Sequence, residues 1–337
     1  MNDFSLLITH WFRQNYRDLP WRNTNNPYFI WLSEIILQQT RVNQGMQYYL
    51  KFTKNYPTIF DLAKSDEQNI LNDWQGLGYY SRARNLHYSA QYIVNELNGV
   101  FPQTYNEIIK LKGVGKYTAA AIASFAFNES KAVVDGNVYR LLSRVFDIPT
   151  PIDSGQGQKE FQSLADELID PNNPAEHNQS IMEVGSSICS PSPNCEICPL
   201  TLKCLSYTRQ TIHERPVKSK KTKVTDKYFH FFIYENNGKT YIEKRTKKGI
   251  WQNLFQFPLI ETKENELPKE LNKHQTFRTS KVIKHILSHQ RIYAQFHHIT
   301  SPPIKIQKEW IEINHENIQD YPLPRIIDRY LEEFDIS

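Results

Sequence analysis

The sequence predicts two domains, an all-α domain followed by a smaller α+β domain. Over about the first 210 residues, apolar side chains recur at the 3.6-residue period of helices, and strand-like alternation is almost absent. After residue 228, β-type runs appear, and a basic segment at 211–227 separates them from the helical part. A chain of 337 residues can bury a separate core in each of two domains.

The helical part opens with an amphipathic helix, because its apolar residues recur every three or four positions. Thr104 with Glu107 predicts a capping box at the start of a short helix, and Ser65 with Gln68 predicts a further N-cap. The apolar residues of the first helix are Phe4, Leu7, Ile8, Trp11 and Phe12. Further helices are predicted at residues 28–40, 44–55, 65–73, 81–97, 136–146, 158–168 and 178–188.

The C-terminal part is predicted to contain several strands and one closing helix. The closing helix carries Ile326, Ile327, Tyr330 and Leu331 at helical spacing. The strands are expected at residues 228–234, 240–245, 291–299 and 310–313. The preceding basic segment is polar and contains a proline, so we interpret it as a linker that can follow phosphates.

Composition limits the possible location and partners. The formal net charge of +4 permits nucleic-acid binding without arguing for it, since the distribution of charge matters more than its sum. No stretch approaches the apolar length of a membrane span, and no signal peptide is evident. We therefore expect an intracellular, cytoplasmic protein that binds no membrane. All four cysteines lie between Cys189 and Cys204, which in such a chain favours a metal over disulfides.

The cysteine spacing predicts one compact metal centre. The pattern is Cys189-x5-Cys195-x2-Cys198-x5-Cys204, and such a run can wrap either Zn²⁺ or an iron–sulfur cubane. Spacing alone does not decide between the two. Zinc ribbons usually pair two C-x2-C knuckles, whereas only one close pair is present here, so the irregular loops favour the cubane.

Residues 111–137 contain a glycine turn between two predicted helices. Gly113 and Gly115 flank Val114, so backbone N–H groups can approach a phosphate oxygen without obstruction from a Cβ atom. The N-terminus of the following helix adds partial positive charge at the same place. The alternative is an ordinary tight turn between helices. Asp135 follows, at the start of another predicted helix.

Glu34 and Asp135 form a candidate catalytic pair. Glu34 lies on an apolar helix, where desolvation would raise its pKa and suit it to general-acid catalysis. The alternative is a core glutamate satisfied by hydrogen bonds. Asp135 is a predicted N-cap, and a capping carboxylate stays ionised. A protonated glutamate with an ionised aspartate is the pair that cleavage of a glycosidic bond requires, provided that the two face each other.

Several sequence strings then occur in a characteristic order. They are LPWR at 19–22, WLSEIILQQT at 31–40, GLGYYSRARNL at 76–86, LKGVGKYT at 111–118, VDGNV at 134–138 and the cysteine run. Together they closely resemble adenine DNA glycosylases of the MutY type, within the helix-hairpin-helix DNA glycosylase superfamily. The resemblance covers essentially the whole chain, and the LQQT and GLGYY strings are highly specific.

The resemblance implies an activity and a fold. The implied enzyme is a monomeric, monofunctional glycosylase that hydrolyses the N-glycosidic bond of adenine mispaired with 8-oxoguanine or guanine in double-stranded DNA. All four cysteines would hold a [4Fe–4S] cluster. The implied helical glycosylase domain spans 1–210, and the basic linker and a Nudix-like lesion-recognition domain at 228–337 follow it. Within the glycosylase domain, a six-helix core at about 20–125 contains the hairpin at 111–118. A cluster subdomain is formed by 1–19 and 126–210 and contains the cluster loop at 189–204.

The resemblance also implies roles for individual residues. Glu34 would protonate adenine N7 and handle the attacking water, and Asp135 would stabilise the deoxyribose cation. Tyr117 would support these groups, and Asn137 would help to position Asp135 or water. The pocket for the extruded adenine would be lined by Trp21, Arg22, Leu37 and Glu183. The DNA and lesion would be contacted by Gln39, Thr40, Leu77, Gly78, Tyr79, Gly113, Val114, Gly115, Leu287, Ser288 and His289.

Among these residues, Gln39, Leu77 and Tyr79 would enter the base stack as wedges, and Leu77 is expected to be exposed between its two glycines. The alternative for Leu77 and Tyr79 is a packed loop, which the residues alone favour over a wedge. Two features depart from the family pattern. The first cysteine gap has five residues where the family usually has six. The string Leu287-Ser288-His289 stands where the family has Phe-Ser-His, and its alternative interpretation is a hydrophilic hairpin turn.

An endonuclease III-like glycosylase and lyase for oxidised pyrimidines is the nearest rival. Such an enzyme needs a lysine amine to form a Schiff base, and in that relative the lysine directly precedes the threonine of the hairpin helix. Here Tyr117 precedes Thr118, and Lys116 is displaced by about 100° around the helix. The sequence therefore favours hydrolysis without efficient lyase activity.

Two rivals belong to other classes. Residues 249–258 resemble the opening of a Nudix fold, but residues 263–273 carry scattered glutamates instead of the carboxylate cluster that Mg²⁺ requires, so we expect a binding module. The other rival is a non-catalytic iron–sulfur DNA-binding protein. It would be favoured if Glu34 and Asp135 lay far apart or in bulk water.

Overall fold

The chain forms two compact units, each discontinuous in sequence. The structure is a computed structural model, and it describes residues 3–219, 224–264, 266–274, 277–287, 289–301 and 303–333. One unit comprises Met1–Lys64 and Tyr88–Lys221, and the other comprises Ser65–His87 and Thr222–Ser337. Residues 65–87, which the sequence placed in the helical domain, therefore belong to the second unit because they pack with C-terminal residues.

The first unit is helical. Of the helices given below, α5 and α13 lie in the second unit, and α6 is divided between the two units. The helices along the chain are α1 (Asp3–Gln14), α2 (Pro27–Leu37), α3 (Val42–Asn55), α4 (Ile59–Lys64), α5 (Glu67–Asp73), α6 (Ser81–Glu96), α7 (Tyr105–Ile108), α8 (Lys116–Phe127), α9 (Gly136–Val145), α10 (Gly155–Leu168), α11 (Pro174–Ser187), α12 (Leu205–Thr208) and α13 (Arg325–Glu333). Within the described residues, none of these helices is long and apolar enough to cross a membrane.

The core of the first unit lies among α1, α8, α9, α10 and α11. Small residues of α8 allow close approach of the neighbouring helices. Inside this core the Ser5 hydroxyl lies 2.8 Å from His177 Nδ1, which ties α1 to α11. The buried residues include Ile8, Ala121, Val138, Leu142, Phe161 and Ile181. This packing fixes the N-termini of α8 and α9, where Tyr117 and Asp135 lie.

The second unit contains two sheets. One has the order β4-β1-β7-β5, with β6 also paired to β7, and the other has the order β3-β2-β8. Strands β1 and β7 are parallel, with Phe231 opposite Phe296, and the remaining pairs are antiparallel. The strands are β1 (Thr225–Tyr234), β2 (Lys239–Lys244), β3 (Phe255–Gln256), β4 (Leu259–Thr262), β5 (Phe277–Thr279), β6 (Ile283–Ile286), β7 (Gln290–Ile299) and β8 (Trp310–Asn314).

Several predicted boundaries were wrong. Helix α2 ends at Leu37 because Gln39 adopts a left-handed backbone with φ of 57°. Helix α11 begins at Pro174 instead of residue 178, since proline suits the first turn of a helix. The N-cap of α5 is Asp66, one residue after the predicted Ser65. Helix α4 and the strands β3 to β6 were not predicted, and the capping box of Thr104 with Glu107 is confirmed.

The predicted linker at 211–227 is partly a fixed piece of the first unit. Ile212–Glu214 forms a 3₁₀ turn, and Arg215 Nη2 lies 3.0 Å from Asp147 Oδ1. Ser219 donates its backbone N–H to Asp153 Oδ1 at 2.8 Å. Strand β1 already begins at Thr225. Within this segment, Arg215 is thus paired with an acidic side chain, Ser219 is bound to Asp153, and the C-terminal end is held by strand pairing.

Candidate active site

Glu34 is a buried carboxyl on α2, with 8% of its surface exposed. The same helix buries Ile30, Trp31 and Ile35 beside it, so the acid lies among apolar side chains. Burial raises the pKa of Glu34 to about 7, a hydrogen bond with Tyr117 opposes the rise, and the charge of Asp135 adds to it. The carboxyl can therefore hold a proton near neutral pH, and burial raises its pKa as the sequence predicted.

Tyr117 occupies the second position of α8, immediately after the hairpin. Gly115 forms the N-cap of the helix, which turns the Tyr117 side chain toward Glu34 while Lys116 is exposed. The Tyr117 hydroxyl also lies 3.6 Å from Met182 Sδ. Burial and the neighbouring carboxyls hold the pKa of Tyr117 well above its ordinary value. The residue is therefore a neutral hydrogen-bonding partner of Glu34.

Asp135 is the N-cap of α9, as predicted. Its Oδ1 accepts the backbone N–H groups of Asn137 at 2.9 Å and Val138 at 2.8 Å, and its Oδ2 accepts the Asn137 side-chain amide at 2.9 Å. Burial raises the pKa of Asp135, whereas these hydrogen bonds and Arg140 oppose that rise. The rise is opposite to the expectation for a solvated cap, because the carboxyl faces a cavity and not bulk water.

Glu34, Tyr117, Asp135 and Asn137 line one cavity of about 380 Å³. The cavity lies between the C-terminal half of α2, the N-termini of α8 and α9, and one face of α11. The four residues predicted to surround a base, Trp21, Arg22, Leu37 and Glu183, line the same cavity. Two carboxyls of different environment thus meet in one space of ligand size.

The sequence did not single out several other lining residues. Gln179, Met182 and Ser186 lie on α11 one turn apart from each other on the face that carries Glu183. Helical spacing around Glu183 would have found them. Arg17 also reaches the cavity from the segment after α1, and the sequence carries no local signal for that contact.

Glu183 is held by two arginines at the cavity wall. Its Oε2 lies 2.6 Å from Arg22 Nη2, and its Oε1 lies 2.6 Å from Arg17 Nε. Ser187 donates its hydroxyl to Oε1 at 3.0 Å. Burial favours the neutral acid, but the hydrogen bonds and charges of the two arginines outweigh it and lower the pKa of Glu183. This carboxylate is ionised and fixed in position.

The hairpin before α8 offers two backbone donors. Gly113 has a φ of 83°, a left-handed conformation that favours glycine, and Val114 donates its N–H to the Leu111 carbonyl at 3.1 Å. Within the described part of the chain, the N–H groups of Gly113 and Gly115 donate to no backbone carbonyl. These two glycines, and not Val114, are therefore the donors that a phosphate could use.

The loop at residues 76–79 differs from the expectation in one respect. Leu77 is buried, with 7% exposed, because Trp74 and Arg82 enclose the loop. Trp74 donates its indole N–H to the Gly78 carbonyl at 3.0 Å, and Arg82 Nη2 reaches the same carbonyl at 3.2 Å. Tyr79 is 52% exposed and has a φ of 46°. Tyr79, and not Leu77, is the side chain that the loop presents.

Gln39 and Thr40 lie just beyond the C-terminal end of α2, and both line the cavity of about 380 Å³. They also line a more open groove of about 810 Å³ that shares Asp135 and Asn137 with it. The groove is strongly basic along its length. Its cationic residues are Arg41, Arg140, Arg144, Arg215 and Lys218.

The four cysteines lie around one small apolar cavity, together with Leu141, Val145 and Leu200. Burial raises the pKa of the Cys198 thiol to about 11 and also raises the pKa values of Cys195 and Cys204. Arg144 Nη1 lies 3.5 Å from Cys189 Sγ, so a cation is placed beside this sulfur. Among the described residues, no three His, Cys, Asp or Glu side chains are arranged to hold a single ion. All four sulfur donors of the chain are thus gathered around one cavity, as one metal centre held by thiolates requires.

Two residues of the predicted lesion-contacting string, Leu287 and His289, lie between β6 and β7. Leu287 is partly buried and donates its N–H to the Gln290 carbonyl at 2.8 Å, and His289 is exposed. Ser288 lies outside the described residues. The segment is thus a hairpin turn that exposes a polar side chain. The residues at 269–273, where a Nudix hydrolase would carry its acidic helix, form a short 3₁₀ turn.

Comparisons with known proteins agree with this architecture. Residues 32–167 match the family model described as HhH-GPD superfamily base excision DNA repair protein, and residues 230–333 match the NUDIX domain model. The adenine DNA glycosylase of Buchnera aphidicola subsp. Acyrthosiphon pisum is 34% identical over 98% of this chain and 97% of its own length. The human adenine DNA glycosylase is 41% identical over 60% of this chain and 39% of its own length.

The helical unit also resembles solved structures. A thermostable thymine-DNA glycosylase aligns with a TM-score of 0.57 and 31% identity, over 61% of this chain and 95% of that chain. The helical fold, the hairpin and the carboxyl-lined cavity define a base excision DNA glycosylase of the helix-hairpin-helix superfamily with a C-terminal Nudix domain. The chain belongs to the adenine DNA glycosylase family. The predicted fold class, family and enzyme class, a hydrolase of N-glycosyl bonds, are confirmed.

Proposed function

We propose that this enzyme removes adenine mispaired with 8-oxoguanine or guanine in double-stranded DNA, and that it does not cleave the strand. The observation that carries the proposal is the buried Glu34, whose pKa is about 7, in one cavity with Tyr117 and Asp135. An acid that is half protonated at neutral pH suits the protonation of a purine leaving group. The same placement argues against a non-catalytic DNA-binding protein, which would have no need of such an acid.

In the proposed mechanism, Glu34 donates its proton to N7 of the extruded adenine as the bond between N9 and C1′ of the deoxyribose breaks. The electron pair of that bond leaves with the base, and positive charge develops on the sugar. Asp135, held by its hydrogen bonds to the start of α9, stabilises this charge. The Glu34 carboxylate then accepts a proton from the water that attacks C1′. Tyr117 and Asn137 keep the two carboxyls in place.

Base extrusion gives the rest of the cavity its role. Flipping a nucleotide costs a few kcal/mol, and least at a weakened mispair. The apolar surfaces of Trp21 and Leu37 would pack on the purine, while Arg22 and the fixed Glu183 carboxylate provide polar contacts at the opposite wall. The lining thus combines apolar faces with a few placed polar groups, as small-molecule sites do.

The DNA backbone would be held at two places. Phosphates beside the hairpin would accept from the N–H groups of Gly113 and Gly115, near the positive end of α8. The basic groove beside Asp135 would hold the strand that carries the adenine. Gln39 and the exposed Tyr79 would enter the stack at the oxidised guanine, and the buried Leu77 would support the loop beneath Tyr79.

The C-terminal Nudix domain would recognise the lesion. The turn at 287–289 exposes His289, which can hydrogen-bond a purine edge. We expect the protein to act as a monomer in the compartment that holds the chromosome, since its proposed substrate is genomic DNA.

The four cysteines would hold a [4Fe–4S] cluster, which when bound cross-links the loop after α11 to the helical core. Cys189 and Cys204 are buried, and Cys195 and Cys198 are partly exposed. Arg144 would hold the loop from the protein side, because its Nη1 donates to the Ser190 carbonyl at 2.7 Å. The apolar walls of the cavity match a group with little need of hydrogen bonds.

The test of the proposed substrate is a base-release assay on duplexes with A:8-oxoG, A:G, T:G and thymine glycol. We expect release of adenine from the first two, faster from A:8-oxoG, with an intact abasic strand until heat or alkali is added. Release of thymine from T:G would instead favour the activity named for the structurally similar thymine-DNA glycosylase. Strand cleavage on thymine glycol would favour the endonuclease III-like rival.

A further inference from the structure

The loop at residues 76–79 is built into the C-terminal half of the second unit. Gln75, directly before the loop, donates from Nε2 to Asp328 Oδ1 at 3.0 Å. Tyr80, directly after the loop, donates its hydroxyl to the Leu323 carbonyl at 3.1 Å. Both acceptors belong to one element, the start of α13 and the turn before it. The two ends of the loop are thus fixed to the same helix.

These contacts are buried. Tyr80 has 5% of its surface exposed and Asp328 has 7%. Further bonds within the second unit tie the same stretch down, since Asn72 Nδ2 donates to the Asp320 carbonyl at 2.8 Å and Arg84 Nη1 donates to the Gln252 carbonyl at 2.5 Å. A hydrogen bond in a buried position is costly to break without replacement. The loop therefore follows α13 when that helix moves.

The loop itself transmits position to one side chain. Arg82 stacks over the Trp74 ring at 5.0 Å and over the Tyr79 ring at 5.7 Å. The backbone of Arg82 is also held in place, because its N–H donates to the Tyr79 carbonyl at 2.8 Å. The exposed Tyr79 has a left-handed backbone conformation. This conformation costs free energy, so it persists only because the surrounding structure imposes it. The framework around Tyr79 thus decides where its ring points.

Helix α13 in turn is locked to the strand that carries the lesion-contacting turn. The Tyr330 ring stacks on Phe296 of β7 with centroids 3.7 Å apart, and its hydroxyl bonds His298 of the same strand. Strand β7 begins directly after His289. A single packed series therefore leads from the turn at 287–289 through β7 and α13 to the two ends of the loop at 76–79.

We propose that Gln75 and Tyr80 are positioning residues through which α13 sets the placement of Tyr79, so that insertion of Tyr79 depends on what the C-terminal turn contacts. This inference rests on the proposed function, in which Tyr79 enters the stack and the turn at 287–289 meets the lesion. Recognition of the oxidised base and insertion of the wedge are then one event, carried by buried contacts inside one unit. The faster release of adenine opposite 8-oxoguanine than opposite guanine then depends on the Tyr80 hydroxyl.

The test is Tyr80→Phe, which removes one hydroxyl and keeps the ring. Single-turnover adenine release is measured on A:8-oxoG and A:G duplexes, and 2-aminopurine beside the oxidised guanine reports unstacking. We expect the A:8-oxoG rate to fall about 3- to 10-fold, the range that one buried hydrogen bond can supply. The A:G rate should change less than about twofold, and the fluorescence rise on binding should shrink. Gln75→Ala should act in the same direction.

The matched control is Tyr28→Phe, because Tyr28 is equally buried and donates its hydroxyl to the Tyr56 carbonyl at 2.7 Å inside the first unit. It should lower the melting temperature about as much as Tyr80→Phe and leave the ratio of the two rates unchanged. A ratio that changes equally in both variants would show a general loss of stability and overturn the proposal.

A double-mutant cycle shows whether Tyr80 acts through Tyr79. Tyr80→Phe should add no further loss of the A:8-oxoG rate in a Tyr79→Ala background. Full additivity of the two losses would overturn the positioning role and leave the wedge role intact. The same conclusion would follow if Tyr79→Ala slowed adenine release while Tyr80→Phe left the ratio of the A:8-oxoG and A:G rates unchanged. A Tyr79→Ala enzyme with normal rate and normal fluorescence would instead overturn the wedge role itself.

Discussion

The Tyr117 hydroxyl and the Glu34 carboxyl line the same cavity, where the hydroxyl counteracts the rise in the pKa of Glu34. Tyr117 thereby joins two properties of the site. It helps to hold the acid in place, and it fills with a neutral phenol the helix position at which a lyase would carry an amine. Lys116, one residue earlier, is exposed and faces away from the cavity. Among the described residues that line the cavity, none is a lysine, the side chain that a Schiff-base mechanism requires.

Tyr117→Lys should introduce lyase activity. An amine at this position would lie beside both carboxyls and could attack C1′ to form a Schiff base. Borohydride trapping on an A:8-oxoG duplex should yield a covalent protein–DNA adduct with the variant and almost none with the natural enzyme. Tyr117→Phe serves as the control, since it loses the hydroxyl and gains no amine. Equal trapping of the natural enzyme would contradict the monofunctional assignment.

Glu34→Gln should change the pH dependence of stability. Burial raises the pKa of Glu34 to about 7, so the folded protein binds this proton more tightly than the unfolded chain does. The stability that the proton contributes is complete below about pH 4 and is lost as the pH rises through about 7. Glutamine has no proton to lose, so the variant should be more stable than the natural protein at about pH 8, by up to about 3 kcal/mol.

Urea denaturation of both proteins at about pH 5 and about pH 8 measures this difference. Glu176→Gln is the control, because Glu176 pairs with the exposed Arg13 at the surface. Its stability should follow the natural protein at both pH values. If Glu34→Gln also follows the natural protein, Glu34 ionises as an ordinary solvated glutamate does.

Arg22→Ala should destabilise the first unit. It leaves the Glu183 carboxylate, only 2% exposed, with one arginine instead of two, at an expected cost of about 2 to 3 kcal/mol. Arg13→Ala removes an equally short contact to Glu176 at the surface and should leave the denaturation midpoint almost unchanged. Similar midpoints for the two variants would show that the Glu183 carboxylate is not effectively buried.

Anaerobically purified protein should carry about four irons per chain and a broad visible absorption from thiolate-bound iron. Cys198→Ser should lose most of both, because this thiol lines the shared cavity with the other three cysteines. Stoichiometric zinc without iron in protein expressed with both metals available would contradict the cubane assignment. A mixture of bound metals that survives Cys198→Ser would show that the cysteines are not the ligands.

The local environments of Glu34 and Asp135 were predictable because their signals are local. Glu34 is a single carboxyl in an apolar helix, and Asp135 precedes a helix start, so each environment can be deduced from a few neighbours. Their meeting in one cavity depends on the packing of α2 against α8 and α9, which no local pattern specifies. The sequence motifs supplied that link only through the family resemblance.

The failures have the opposite origin. Leu77 between two glycines suggested an exposed residue, but Trp74 and Arg82 close over the loop through contacts that the spacing does not encode. The hydrogen bonds that tie residues 65–87 to the second unit, which the sequence also did not reveal, reach partners more than 160 positions away. The strands β3 to β6 are two to four residues long, too short for alternation to reveal them.

The most direct measurement is single-turnover release of adenine from an A:8-oxoG duplex by Glu34→Gln, with Glu176→Gln as the matched control. Loss of the general acid should slow release by about 10³-fold or more, since glutamine cannot deliver a proton to the leaving base. Binding to the same duplex should stay within about tenfold of the natural enzyme, because the Glu34 carboxyl makes no phosphate contact in the proposed mechanism. Release within about tenfold of the natural rate would contradict the assignment of Glu34 as the proton donor.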